Sequence, residues 1–204
     1  MKKAFTLSEV LIALTIIGVI AAMTIPVLMA NTRREEASAK IKKAYSGLCQ
    51  ASMKAKAAGK NWEYVFEESG ITSSLSLRQE FMDSSVLPYL SYTETELTSS
   101  YYRAVLADGT FLQVTAGGSC IDFTYDINGE RKPNTYGRDM FRFLFCPLGS
   151  SSSWIQAETV IPYCPKSIET RDEAMAYCKS TPLSCSCLLS IDGWEFKKDY
   201  PFNM

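Results

Sequence analysis

The sequence predicts an α+β protein in which one long N-terminal helix packs on a small antiparallel sheet. Three observations lead there. An apolar run from Val10 to Ala30 passes into a segment whose apolar residues recur at helical spacing as far as Ala55. Beyond Gly59, short runs rich in β-branched and aromatic residues alternate with Asp-Gly, Gly-Gly and Asn-Gly pairs. Six of the seven cysteines lie between Cys120 and Cys187, which predicts a disulfide-rich C-terminal region.

The apolar run comes first. A bilayer-crossing helix needs roughly 20 apolar residues, and Val10–Ala30 supplies them. A secretory signal has a shorter core, about 7–15 residues, followed by a small-residue cleavage site. Nothing after this run has that form. Glu9 stands at its start. A carboxylate inside a membrane span costs roughly 2.5–3.5 kcal/mol at the centre and less near an end, so Glu9 calls for a reason.

Past Pro26 the pattern changes. Ile41, Ala44, Tyr45, Leu48, Ala51, Ser52 and Ala55 form one apolar stripe, with Lys40, Lys42, Lys43, Lys54, Lys56 and Lys60 on the exposed face. Gly59 reads as the stop. One helix from Phe5 to about Ala58 would be about 80 Å long at 1.5 Å per residue. The alternative is a membrane helix joined to a separate amphipathic one at Asn31–Arg34.

In the domain that follows, Trp62, Tyr64, Val65 and Phe66 supply core material. Ser76-x-x-Gln79 reads as a capping box opening a short helix to about Val86, ended by Pro88. Tyr102–Ala107 and Thr110–Thr115 flank Asp108-Gly109, a pair suited to a type I′ hairpin turn. Gly117-Gly118 leads into a third strand, Cys120–Asp126, and Asn128-Gly129 makes another turn. Met140–Phe145 reads as a fourth strand, with a buried helix as the alternative. The cysteine-rich tail begins at Ser150 and carries a short helix over Thr170–Lys179 and a buried element over Leu188–Ile191. Trp194, Phe196, Tyr200 and Phe202 are expected to pin the C-terminus to the sheet.

Composition removes several kinds of chemistry. The chain of 204 residues has no histidine, so Ser-His-Asp and Cys-His catalysis and imidazole-bearing zinc sites are excluded. No motif argues for an enzyme. A formal net charge of −1 gives no strong pull toward nucleic acid, and no specific nucleic-acid partner is predicted. Cys120, Cys146, Cys164, Cys178, Cys185 and Cys187 are disulfide candidates in a non-cytoplasmic setting. Cys49, alone in a helix, is the expected odd cysteine, either a free thiol or one paired with another chain. A zinc cluster built on Cys185-x-Cys187 is the rival reading.

The segment Lys3-Ala4-Phe5-Thr6-Leu7-Ser8-Glu9-Val10-Leu11-Ile12-Ala13-Leu14 resembles the prepilin processing signal of type IV pilins and type II secretion pseudopilins. The resemblance implies a pilin-like fold, cleavage by a membrane-embedded prepilin peptidase between Ala4 and Phe5, and methylation of the new Phe5 amine. It implies that Glu9 neutralises the amine of a neighbouring subunit during assembly, and that Pro26 stands where such helices often carry a proline. The residue before the cut is usually Gly in that family and is Ala4 here. The expected organisation is a leader at 1–4, a membrane and assembly helix at 5–30, its amphipathic half at 31–59, a globular α+β domain at 60–149 and a cysteine-rich region at 150–204. The expected partners are prepilin peptidase, copies of itself or other pilin-like subunits, inner-membrane assembly machinery and membrane lipid. The expected location is the bacterial cytoplasmic membrane, with the C-terminal domain outside the cytoplasm, and then a filament. A membrane-anchored binding module that never polymerises is the alternative function.

One loop invites a metal. Asp122, Asp126, Asn128, Asn134 and Asp139 offer oxygens among turn residues, and calcium is the cofactor they could hold. No cofactor is required by the reading. Some major pseudopilins resemble this in carrying a calcium-ordered loop, yet the same residues are ordinary turn formers. The Asp-x-Asn-Gly pattern and the ending from Asp192 to Phe202 also resemble a group of pilin-like proteins from gut bacteria.

Overall fold

The computed structural model describes residues 6–60, 62, 74–115, 120–146, 153–155 and 157–203. The expected core residues Tyr64, Val65 and Phe66, the Gly117-Gly118 turn and the start of the tail at Ser150 lie outside the described residues.

Helix α1 runs from Leu7 to Ala57 as one element, so the break considered at Asn31–Arg34 is absent. Pro26 lies inside it and lacks an N–H, which removes one rung of the hydrogen-bond ladder without ending the helix. Gly59, at φ +75°, reverses the chain just past the last turn. Lys54 and Lys56 stand in that turn, at the negative end of the helix dipole.

A second helix, α2, spans Leu75–Phe81 and continues through a π-helical turn at Met82–Val86 into a 3₁₀ turn at Leu87–Tyr89. The sequence expectation is corrected here in two ways. Ser76 does not cap the helix: Ser74 takes the N-cap position with no side-chain cap, and the two hydroxyls bond to each other at 2.8 Å. Pro88 sits inside the 3₁₀ turn rather than ending the helix, because a proline in a first turn forfeits no intrahelical donor. Burial of Met82, Val86 and Leu87 holds this stretch helical to Tyr89.

Six strands follow in a single antiparallel meander: β1 Tyr92–Leu97, β2 Tyr102–Leu106, β3 Phe111–Thr115, β4 Ile121–Asp126, β5 Met140–Phe145 and β6 Ile161–Pro162. The four expected strands are present, and β1 and β6 extend the sheet at either edge. The β2–β3 turn is not type I′. Of Asp108 and Gly109 only Gly109 has positive φ, and its N–H donates to Leu106 O at 2.9 Å. That is a type I turn followed by a left-handed glycine, one residue longer than a type I′ loop.

The core lies between the second half of α1 and the sheet. Ala37, Ile41, Ala44, Leu48, Ala51 and Ala55 face Leu112, Val114, Phe123, Tyr125, Phe141, Phe143 and Phe145. Alanine dominates the helix face, which lets the backbone come close to a sheet face built of large rings. Trp62 is buried against Phe81, Phe123 and Phe145, with ring centroids 5.3–5.5 Å apart, and its Nε1–H donates to Ser85 O at 3.1 Å.

The tail closes the structure. Helices α3 (Arg171–Ser180) and α4 (Cys185–Ile191) are tied by Cys178–Cys185, while Cys164–Cys187 and Cys120–Cys146 fasten the tail and the β4–β5 ends. With all six paired, no thiolate set remains for zinc, and Cys49 is the free cysteine. Trp194 packs between Tyr45 of α1 and Phe143 of β5, at 4.5 and 5.9 Å, and the Tyr200 hydroxyl donates to Gly137 O at 2.5 Å. Phe196 stacks edge-on to Phe141 and Tyr200. The aromatic tail therefore does pin the C-terminus.

Candidate functional site

The first half of α1 is the part of the chain with no packing of its own. An 18-residue window has mean hydropathy 2.6 and none of it is buried. Leu11, Ile12, Leu14, Ile17, Ile20 and Leu28 are each more than half exposed. By length and composition the segment can cross a membrane. Its threonine hydroxyls are satisfied inside the helix. Thr15, Thr24 and Thr32 each donate to the carbonyl four residues back, at 2.8, 2.9 and 3.0 Å.

The charged entry to this segment is a built feature. Thr6 is the N-cap, and its Oγ1 accepts from the Glu9 N–H at 3.3 Å. Glu9 Oε2 in return accepts from the Thr6 N–H and Thr6 Oγ1, both at 2.8 Å. This reciprocal pair is a capping box, legible in Thr6-Leu7-Ser8-Glu9 but not anticipated from the sequence, where Glu9 reads as a membrane carboxylate and an assembly contact. Glu9 keeps Oε1 outside these bonds. Ala4 and Phe5, the expected cleavage and methylation residues, lie outside the described residues. Around Gly18 an added Cβ would meet nothing within 4 Å, and Ala22 follows at the next turn, so this face accepts close approach of another helix.

The calcium candidates divide. Asp126, Asn128, Asn134 and Asp139 gather in the β4–β5 loop, but Asp122 sits four residues back along β4, roughly 13 Å away at strand rise. Asp122 pairs instead with Arg142 Nη1 at 3.2 Å. Burial pushes its carboxyl up to about 6 against the pull of that guanidinium. In the loop, Asp126 Oδ1 accepts from the Asn128 and Gly129 N–H groups at 3.0 and 3.1 Å. Asp139 accepts from Asn128 Nδ2 at 2.9 Å, from the Asn134 N–H at 2.8 Å and from the Thr135 N–H. Burial raises Asp126 to about 6 as well; its two N–H partners hold it down and nearby Asp139 adds to the rise. Among the described residues no three His, Cys, Asp or Glu side chains stand together as a metal site.

Contacts between the loops and α1 were invisible in the sequence. Lys40 Nζ donates to Ile127 O at 3.2 Å, Tyr125 OH donates to Lys40 O at 3.3 Å, and Lys43 pairs with Asp108 at 2.7 Å. These join the start of the packed half of the helix to the β2–β3 turn and the β4–β5 loop.

An unpartnered apolar helix with a capped carboxylate at its entry, continuous with a helix that anchors a small disulfide-bonded sheet, defines a pilin-like protein. The chain belongs to DUF6613, a family of unknown function whose model matches residues 27–204. Residues 1–25 match the prokaryotic N-terminal methylation motif. That motif marks a pilin-like protein carrying a prepilin-peptidase processing signal. No curated protein and no solved structure matches the chain.

Proposed function

We propose that this chain is a structural subunit trimmed and methylated by prepilin peptidase, then polymerised into a type IV pilus or type II secretion pseudopilus. One observation supports this above the rest. The segment that carries the methylation motif is also the segment left without any packing partner in its own chain. Such a helix is at rest in lipid and can exchange lipid for copies of itself, packing through Ala13, Gly18, Ala21 and Ala22. In this reading the subunit waits in the cytoplasmic membrane with its disulfide-bonded domain outside the cytoplasm. The role is structural rather than catalytic.

Glu9 supplies the register. Left unpaired inside an apolar bundle it is costly, and the Phe5 amine of a neighbouring subunit satisfies its remaining oxygen. Glu9→Leu is expected to insert in the membrane and to be cleaved normally, while its yield in sheared filaments falls to background. Mass spectrometry of the mature N-terminus reads the first part and filament recovery the second. A methylated Phe5 with normal filaments in the mutant would remove the register role. An intact Met1 in the wild type would favour a membrane-anchored module that does not polymerise.

A further inference from the structure

We propose that the groove between α1 and the β4–β5 loop binds the headgroup of an anionic phospholipid, a phosphatidylglycerol. The groove encloses about 570 Å³ and is lined by Arg33 and Lys40 of the helix and by Arg131, Lys132 and Arg138 of the loop. Its acids are already engaged. Glu36 pairs with Lys40 at 3.0 Å, Asp108 pairs with Lys43 at 2.7 Å, and Asp139 accepts three hydrogen bonds from its own loop. Among the described residues Arg33, Arg131, Lys132 and Arg138 make no ion pair. Four exposed cations thus share one groove in which, among the described lining residues, Asp139 is the single carboxylate outside an ion pair. Guanidinium forks match phosphate oxygens in geometry as well as charge.

Position decides where the phosphate comes from. The apolar run ends at Ala30, and Arg33 follows about 4.5 Å further along the axis. The polar headgroup layer extends roughly 5–7 Å beyond the hydrocarbon on each side. Arg33, at the membrane end of the groove, therefore lies at the depth of lipid phosphates whenever α1 spans a bilayer. Asn128 Oδ1, a buried acceptor without a partner, belongs to the same groove. The glycerol headgroup carries two hydroxyl donors beside its phosphate, so it brings a donor for this acceptor as well as an anion for the cations.

This inference rests on α1 as a membrane helix and not on polymerisation. The test places the full chain in phosphatidylcholine nanodiscs containing a minority of phosphatidylglycerol and counts retained lipids by native mass spectrometry. The wild type is expected to retain phosphatidylglycerol preferentially. At about fivefold per cation near a charged surface, Arg131→Gln/Lys132→Gln/Arg138→Gln should cut that preference at least tenfold. Lys179→Gln/Lys198→Gln, which changes exposed cations outside the groove, should leave it intact. Equal retention of the two lipids by the wild type would overturn the proposal. So would an unchanged preference in the triple variant, including the case where that variant fails only in filament assembly and the cations serve a neighbouring subunit. Glycerol phosphate binding as tightly from solution would assign the groove to a soluble anion instead. Failure of the wild-type chain to float with vesicles would overturn the membrane reading and the groove with it, which separates the two failures.

Discussion

The two halves of α1 share a backbone and differ in everything else. From Leu7 to Ala30 all but one of the side chains are exposed, and the large ones are aliphatic on every side. From Ala37 to Ala55 the buried residues are mostly alanines on one stripe, and lysines cover the opposite side. The difference shows what each half is matched to. A stripe of small residues fits one particular neighbour, the aromatic sheet face, and that neighbour is present. A helix apolar all round fits any apolar surroundings, and those surroundings lie outside the chain.

The sharpest way to break this comparison is to truncate a large residue in each half. Leu48 is buried in the core, so Leu48→Ala should cost about 2–5 kcal/mol in the denaturation of the globular domain. Ile17→Ala, in the exposed half, should change that stability by less than about 0.5 kcal/mol. Equal losses would mean that the apolar half packs on the domain after all.

The disulfides belong to the packed side of the comparison. Cys164–Cys187 closes a separation of 23 residues, and Cys164→Ser/Cys187→Ser should lower domain stability by about 2–4 kcal/mol. Helical signal from the membrane half should survive in detergent. Loss of both together would show that the halves fold as one cooperative unit.

A smaller effect follows from the raised carboxyl of Asp126. Its folded value, about 6, lies above an unfolded value of about 3.9. Between those two the folded state holds a proton that the unfolded chain lacks. The ionised group therefore penalises the fold at pH 7, and the penalty fades as pH falls through 6 toward 4. Asp126→Asn keeps an oxygen for the Asn128 and Gly129 N–H groups. It should gain on the order of 1 kcal/mol at neutral pH after allowance for solvent screening, and nothing near pH 4. Thermal melts across that range would read the slope, and a variant parallel to the wild type would deny the buried charge.

The smallest expected effect is none at all. The loop carboxylates already accept hydrogen bonds from their own backbone, so calcium or chelator should leave the Tm of the domain unchanged. A rise of several degrees with calcium would show that the loop rearranges into a cation site.

What could be read from the sequence was whatever depends on a period or a count. The stripe from Ile41 to Ala55, the strands around Asp108-Gly109 and Met140–Phe145, and the odd cysteine at position 49 were all visible in one dimension. Strand β1 was not. Tyr92-Thr-Glu-Thr-Glu-Leu97 has no apolar alternation because an exposed edge strand buries little, and pairing with β2 alone defines it. The π-helical turn escaped for a related reason, since core burial of Met82 and Val86 sets it rather than local propensity. Within the functional segment Thr6 was legible as a capping residue. The basic groove was not, because it needs residues near 33 and near 131 brought together across the fold.

The contact between Tyr45 and Trp194 carries a mechanical consequence. It joins the helix that leads out of the domain directly to the segment just after α4, and Arg171 clamps the tail through Asp192 and Asp199. A pull along the axis of α1 loads the alanine stripe, the Lys40 and Lys43 contacts and this aromatic clasp side by side, in shear. Contacts loaded in parallel yield together rather than one after another. The packed half of α1 and the C-terminal tail are thus fastened to each other, and tension entering along the helix reaches both at once.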